Sequence, residues 1–207
     1  HGASSDFLPH PLPAISPSSG RAAVMTECIA LLRGINVSRA KRIAMADLRV
    51  LIEGLGFSNV RTLLNSGNVV FRASRPNVSK IAAAIEVAIT GKFAFSVAVV
   101  VVTAAELSAI IRENPLLETA NDPARHMVAF VARATTLTAA KVLLAESWAP
   151  DAIAVGRKAA YLWCANGIIE SKLMQAFARL AGDTATARNW ATVLKLQAAA
   201  STNQNAA

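Results

Sequence analysis

The chain has 207 residues, of which 54% are hydrophobic, and a formal net charge of +8. Its longest apolar stretch, Phe93 to Ala105, is interrupted by two hydroxyl residues and is shorter than the roughly 20 residues that a membrane-spanning helix needs. The two cysteines, Cys28 and Cys164, lie far apart in apolar runs, which indicates buried, reduced thiols in a cytoplasmic protein and not a disulfide framework or a metal site.

Residues 1–24 differ in kind from the rest of the chain. They contain half of the prolines and two of the three histidines, without a periodic apolar face. They also lack the basic start and unbroken apolar centre of a secretory signal. We expect this segment to be a disordered, non-native leader ahead of a start at Met25. Because only His126 then remains in the body of the chain, a histidine-based metal centre is excluded. We expect no other metal and no cofactor, since the sequence contains neither zinc-ligand spacing nor a glycine-rich phosphate loop.

The first half of the remaining chain alternates between the periods of strands and helices. A strand over CIALLRGI precedes an amphipathic helix over 44–55. Two β-rich runs, VRTLLNS and NVVFRAS, meet at Ser66-Gly67-Asn68 and predict a hairpin. A helix opened by Asn77 or Ser79 follows, and FSVAVVVV closes the half as a strand. The predicted order is β-α-β-β-α-β.

The second half repeats this order after a connecting helix. A capping-box pattern at Thr103 and Glu106 starts the connecting helix, and an irregular linker follows. HMVAFVAR predicts a strand, and Thr138 is expected to cap a helix that runs to Trp148. DAIAVGRK and AAYLWCAN predict a second hairpin, and Ser171 opens the next helix. TATAR supplies a last short strand before a terminal helix.

These elements predict an α+β fold of two tandem ferredoxin-like units (βαββαβ, alpha-beta plaits) with antiparallel sheets and a C-terminal helix. After the leader, we predict a first unit at 25–103 and a connecting helix and linker at 104–125. A second unit follows at 126–188, and a terminal helix with its tail at 189–207. Since both alternating faces of FSVAVVVV are apolar, the face without helices should be covered by the second unit, the connecting helix or the second subunit of a homodimer.

Seven short motifs carry a family resemblance. They are Arg33-Gly-Ile-Asn-Val37, Met45-Ala-Asp-Leu48, Gly56-Phe57, Val60-Arg61-Thr62, Ser66-Gly-Asn68 followed by Val-Val-Phe71, Asn114-Pro115, and Arg188-Asn-Trp190 with Thr192-Val193 and Lys195-Leu196. In this order and spacing the chain resembles the bacterial domain-of-unknown-function family 1697, from Met25 to the terminal helix. The resemblance implies a tandem plait fold, and it implies no established substrate, cofactor or catalytic residue.

Polar residues at the ends of the predicted elements form the candidate site. They are Arg33, Asn36, Ser66, Asn68, Arg188 and Asn189. One interpretation is a site for a small anionic ligand, with the arginines and backbone N–H groups binding phosphate or carboxylate. The other is structural: the arginines satisfy carbonyls or acids where the units meet, and the asparagines cap turns and a helix. The residue types favour the structural interpretation.

Two other functions stay open. The basic loop with Arg39, Lys41 and Arg42 could contact a nucleic-acid backbone, although the central strands lack the aromatic platform that stacks bases. An enzyme acting on a small phosphorylated or carboxylated metabolite is the second alternative, but no residue set indicates a reaction, and His126 fits a strand edge better than a general base. We therefore expect a non-catalytic cytoplasmic binding or regulatory module with an anion site between the units.

Overall fold

The computed structural model describes residues 24–37 and 40–201. The predicted leader, except for Val24, and the end of the predicted tail lie outside these residues. Over the described part the chain is an α+β protein with two four-stranded antiparallel sheets and six α-helices. None of the described helices has the length and hydropathy to cross a membrane.

The first sheet has the strand order β2-β3-β1-β4. The elements of this half and the helix that follows it are, in chain order, β1 (Met25–Leu32), α1 (Met45–Gly54), β2 (Ser58–Leu63), β3 (Asn68–Ser74), α2 (Val78–Phe93), β4 (Val99–Thr103) and α3 (Ala104–Arg112). Helices α1 and α2 pack on one face of this sheet, around a core that contains Leu48, Phe71 and Ile85.

The second sheet has the order β6-β7-β5-β8, which repeats the arrangement of the first. Its elements are β5 (His126–Val131), α4 (Ala134–Ala140), β6 (Ala152–Val155), β7 (Ala159–Trp163), α5 (Lys172–Ala181), β8 (Ala185–Asn189) and the terminal helix α6 (Trp190–Ser201). Short 3₁₀ turns follow α4 and α5. Helices α4 and α5 cover one face of this sheet around Leu137 and Phe177.

Side-chain caps set the start of α2, α3 and α5 as the sequence predicts. Asn77 accepts from the backbone of Lys80, and Ser171 accepts from that of Met174. The reciprocal capping box of Thr103 and Glu106 is present at the start of α3. Each such cap is worth about 1 kcal/mol because it satisfies an amide that the helix leaves without a partner.

The predicted start of the helix after β5 is wrong. Helix α4 begins at Ala134, directly behind the strand, and Arg133 precedes it without a side-chain cap. Thr138 lies inside the helix, where its hydroxyl donates to the carbonyl oxygen of Ala134 at 3.4 Å. The helix therefore begins where the chain leaves the sheet, and its threonine is not the signal for its start.

The remaining face of each sheet is buried against the other half. Ile29, Val100 and Val102 of the first sheet share one hydrophobic cluster with Phe130 and Tyr161 of the second. Helices α3 and α6 contribute to the same cluster, and Tyr161 donates a hydrogen bond to a carbonyl of α3. The prediction that this face is covered is confirmed: the connecting helix, the second sheet and the terminal helix cover it.

Candidate functional site

Arg188 of β8 is a buried cation at the contact between the two halves, with 9% of its surface exposed. Its Nε donates to Asn68 Oδ1 at 2.6 Å, and its Nη2 donates to the carbonyl oxygens of Leu32 at 2.7 Å and Ser66 at 3.2 Å. Its Nη1 donates to Thr186 Oγ1 and to a neighbouring carbonyl. Burial lowers the pKa of Arg188 to about 10, so it stays charged at neutral pH.

Arg33 makes the reciprocal contact from the first half. Its Nη1 donates to the carbonyl oxygen of Ala185 at 2.7 Å and to that of Gly182, and its Nε lies 3.8 Å from Asp183 Oδ1. The side chain of Arg33 is 35% exposed. The two arginines therefore join the end of β1 to β8, and Arg33 keeps a surface that a ligand could reach. We call this contact the arginine seam.

The four remaining predicted residues hold backbone turns. The amide group of Asn36 donates to Ile43 O and accepts from Ile43 N, which closes the loop after β1. Asn68 Nδ2 donates to Ser66 Oγ at 2.9 Å within the β2–β3 turn. Asn189 Oδ1 accepts from the backbone of Thr192 and caps α6. These contacts are the turn and cap roles that the structural interpretation of the sequence anticipates.

Gly67 makes this turn possible. It has a φ of +72°, and a Cβ at this position would lie 2.7 Å from Leu32 Cβ. Only glycine adopts this conformation readily and lets the turn approach the end of β1 so closely. The carbonyls that receive Arg188 are held in place by this approach, since Leu32 N donates to Gly67 O at 2.8 Å.

A cavity of about 410 Å³ adjoins the seam. Arg33, Ser66, Arg188 and Asn189 all line it, so the structure brings together four of the six predicted residues, while Asn36 and Asn68 do not line it. Most of its wall is apolar and comes from β5, β8 and α5. Since every nitrogen of Arg188 already donates to the protein, Arg33 is the arginine with capacity for an anion.

A larger groove of about 1050 Å³ lies on the other side of Arg33. Strand β4 and helix α2 form one wall, and the ends of β5 and of the β6–β7 turn form the other. Five basic side chains line it against three acidic ones: Arg33, Lys41, Arg133, Arg157 and Lys158, with Glu86, Glu106 and Asp183. We call this the basic groove.

Ion pairs and hydrogen bonds engage most of these charges. Lys158 Nζ lies 2.7 Å from Glu106 Oε1, and Arg157 pairs with Glu113. These contacts lower the pKa of both carboxyl groups, against the opposing effect of burial on Glu106. Arg133 is exposed, and no described residue forms an ion pair with it. Among the described residues that line the basic groove, Arg133 can therefore meet an anionic ligand without breaking an ion pair.

The basic loop that suggested nucleic-acid binding is only partly available. Arg39 lies outside the described residues. Lys41 Nζ donates to the carbonyl oxygen of Ser96 at 2.9 Å, and Arg42 is exposed. Lys41 thus lines the basic groove and is not part of a separate basic surface for nucleic acid.

The two cysteine thiols and the imidazole of His126 are buried. Burial raises the pKa of the Cys28 thiol to about 11 and also raises that of Cys164. His126 is fully buried, stacks on Trp190 at 5.1 Å between ring centroids, and lies with Nε2 3.1 Å from Asn114 Nδ2. Burial lowers its pKa, so it is neutral. In the described part of the chain no group of His, Cys, Asp and Glu has the arrangement of a metal site.

Sequence reasoning missed Arg133, Arg157 and Lys158. They come from two loops of the second half, and their approach to Arg33 depends on how the halves pack. The only sequence signal was the Gly-Arg-Lys turn between β6 and β7.

The protein is therefore an α+β protein in which two similar four-stranded sheets enclose the helices α3 and α6 between them. The family described as "Protein of unknown function (DUF1697)" matches residues 25–161, and the chain belongs to this family. The solved structure of the conserved bacterial protein SP0830 from Streptococcus pneumoniae has a similar fold, with a TM-score of 0.71 at 20% identity over 86% of this chain and 99% of that one. No functionally curated protein matches the sequence.

Proposed function

We propose that this protein is a non-catalytic binding module, built from two tandem ferredoxin-like units, whose anionic ligand occupies the basic groove. The observation that carries the proposal is the excess of basic side chains around a groove of about 1050 Å³ between the two halves. A cleft of this size at the contact of two units is the usual place for a ligand.

The charges of the basic groove support an anion. Glu86 and Glu106 accept hydrogen bonds from backbone amides of β4, and Asp183 lies beside Arg33. The two glutamates are thus committed to the protein, and Asp183 is exposed at the rim of the groove. Arg133 has no ionic partner among the described residues. An anion that enters the groove meets Arg133 and the exposed side of Arg33 first.

Of the two arginines predicted to bind an anion, this proposal retains Arg33 as a ligand-binding residue and excludes Arg188. All donors of Arg188 are used within the arginine seam, so an anion there would have to displace buried carbonyls. Arg33 lines both the smaller cavity and the basic groove, and it joins the predicted site to the groove.

Isothermal titration with inorganic tripolyphosphate tests the proposal. Arg133→Gln should weaken binding about two- to fivefold, as expected for one exposed charge. Arg179→Gln is the matched control, because Arg179 is also exposed, lies on α5 and lines neither cavity. Equal losses in both variants would show that tripolyphosphate responds only to net charge, and the proposal would then be wrong.

A further inference from the structure

Strand β4 presents an unpaired edge to the basic groove. It is the last strand of the first sheet and pairs only with β1. The backbone of Arg33 donates to the carbonyl oxygen of Ala98 at 2.9 Å, so the backbone groups of Ala98 point toward β1. Because these groups alternate in direction along a strand, the amides and carbonyls of Val99, Val101 and Thr103 point away from the sheet.

Two of these three outward amides already have acceptors. Val99 N donates to Glu86 Oε1 at 2.8 Å, and Thr103 N donates to Glu106 Oε2 at 3.0 Å. Val101 lies between them, and within the described ranges no side chain or backbone group accepts from its outward amide. The outward amides are therefore taken at both ends of the edge. At its centre Val101, which is 6% exposed, has one outward donor and one outward acceptor that no described group uses.

The walls of the groove restrict what can reach this edge. Helix α2 lines one side with small apolar residues, among them Ala82 and Ala83, and with Val87, which is 72% exposed. Arg157 and Lys158 of the β6–β7 turn line the other side. An edge flanked on both sides fits one extended segment better than the sheet of a second folded domain.

We propose that the ligand of the basic groove is an extended acidic peptide that adds a strand to β4 by pairing with Val101; this rests on the proposed function. Residues opposite each other in neighbouring strands place their side chains on the same face. Val101 packs toward α2, so the peptide residue opposite it is apolar and faces α2. The residues on either side of it then face the wall that Arg133, Arg157 and Lys158 line, and they are acidic. Arg133 can meet them without breaking an ion pair, whereas Arg157 and Lys158 already pair with Glu113 and Glu106.

The probe is a blocked heptapeptide of alternating Glu and Val, compared with two N-methylated forms of the same sequence. One form is N-methylated at its Val residues, whose amides face β4 in the proposed register. The matched form is N-methylated at its Glu residues, whose amides face away. Methylation at Val should weaken binding at least tenfold, since it removes the hydrogen bond that the peptide donates to the carbonyl oxygen of Val101 and adds bulk at the contact. Methylation at Glu should change the dissociation constant less than twofold.

Amide hydrogen exchange supplies a second measurement on the unchanged protein. The unmethylated heptapeptide should slow exchange at Val101 N–H at least tenfold, while the amide of Val100, which is directed at β1, keeps its rate. Unchanged exchange at Val101 with bound peptide would overturn the pairing.

The outcomes separate this inference from the proposed function. If both methylated peptides bind equally and Arg133→Gln weakens their binding, the groove binds anions but β4 does not pair; the strand pairing is then wrong and the proposed function stands. The same conclusion holds if tripolyphosphate or single-stranded RNA binds with this dependence on Arg133 and the peptide does not bind. If no probe binds, both proposals fall.

Discussion

Replacing Arg188 by methionine tests whether the arginine seam holds the two halves together. Methionine fills a similar volume and removes the charge and all the donors. The three shortest hydrogen bonds of Arg188 across the seam go to Asn68 Oδ1 at 2.6 Å and to the carbonyls of Leu32 at 2.7 Å and Ser66 at 3.2 Å. Removing them leaves these acceptors without their donor.

The magnitude follows from which acceptors can reach water. Leu32 and Asn68 are fully buried, whereas Ser66 is exposed. A buried acceptor without a partner costs about 1–3 kcal/mol, so two of them cost about 2–6 kcal/mol. Removing the cation also relieves its own desolvation, which the lowered pKa of Arg188 reflects. We expect Arg188→Met to lower the free energy of unfolding by about 2–5 kcal/mol, a large part of the 5–15 kcal/mol typical of a domain.

Urea unfolding, followed by far-ultraviolet circular dichroism and by the fluorescence of the three tryptophans, measures this loss. Arg33→Met is the control, because Arg33 is partly exposed and water can replace much of what it binds; its cost should be about 1 kcal/mol. Arg188→Lys should fall between the two, since lysine keeps the charge but not the planar fork of donors. A loss below about 1 kcal/mol for Arg188→Met, or an equal loss for Arg33→Met, would refute the reasoning.

Three further predictions concern single positions. Gly67→Ala should lower the free energy of unfolding by about 2–4 kcal/mol, because Gly67 has a positive φ and approaches β1 closely. Gly54→Ala, in a helix with open space around it, should raise that free energy by up to about 1 kcal/mol in the same urea assay. Similar values for both variants would contradict the steric argument. Because burial lowers the pKa of His126, the unfolded chain takes up the proton first as the pH falls, so stability is full above about pH 6.5 and decreases below it. His126→Phe should remove that decrease between about pH 7 and pH 5, and an unchanged profile would assign it to other groups. Cys28 and Cys164, whose thiol pKa values burial raises, should react with a disulfide reagent at about pH 8 only in urea, and rapid labelling of the folded protein would contradict their burial.

Hydrophobic periodicity was sufficient to predict most of the elements. The strand NVVFRAS is a β-rich run that follows a turn signal, and the helix opened by Ser171 has one buried face and a local cap. These signals all lie within a few residues of the chain. The apolar character of both faces of β4 even predicted a covered sheet. These signals are local, and the folded protein has the predicted elements because the residues that give the pattern are the ones whose burial stabilises the fold.

Other features depend on contacts between distant parts of the chain. Helix α4 starts at Ala134 without a capping side chain, so no local signal marks it, and the threonines that follow suggested a later start. A role for Arg188 where the units meet was one interpretation of the sequence, but TATAR does not indicate which residues, more than a hundred positions away, accept its hydrogen bonds. The basic groove needs loops from both halves, and its lining cannot be assembled from spacing along the sequence.

The position of Arg33 links the arginine seam to the basic groove. The residue lines the groove and also donates to Ala185 O, so an anion that pulled its guanidinium into the groove would break a bond between the halves. The free energy of that bond would be subtracted from the binding free energy, which limits how tightly Arg33 can hold a ligand. Arg133 carries no such cost, because no described residue pairs with it. The halves remain joined through Arg188 and the shared apolar cluster in either case, so a ligand that uses Arg33 would shift the rim of the groove without separating the two sheets.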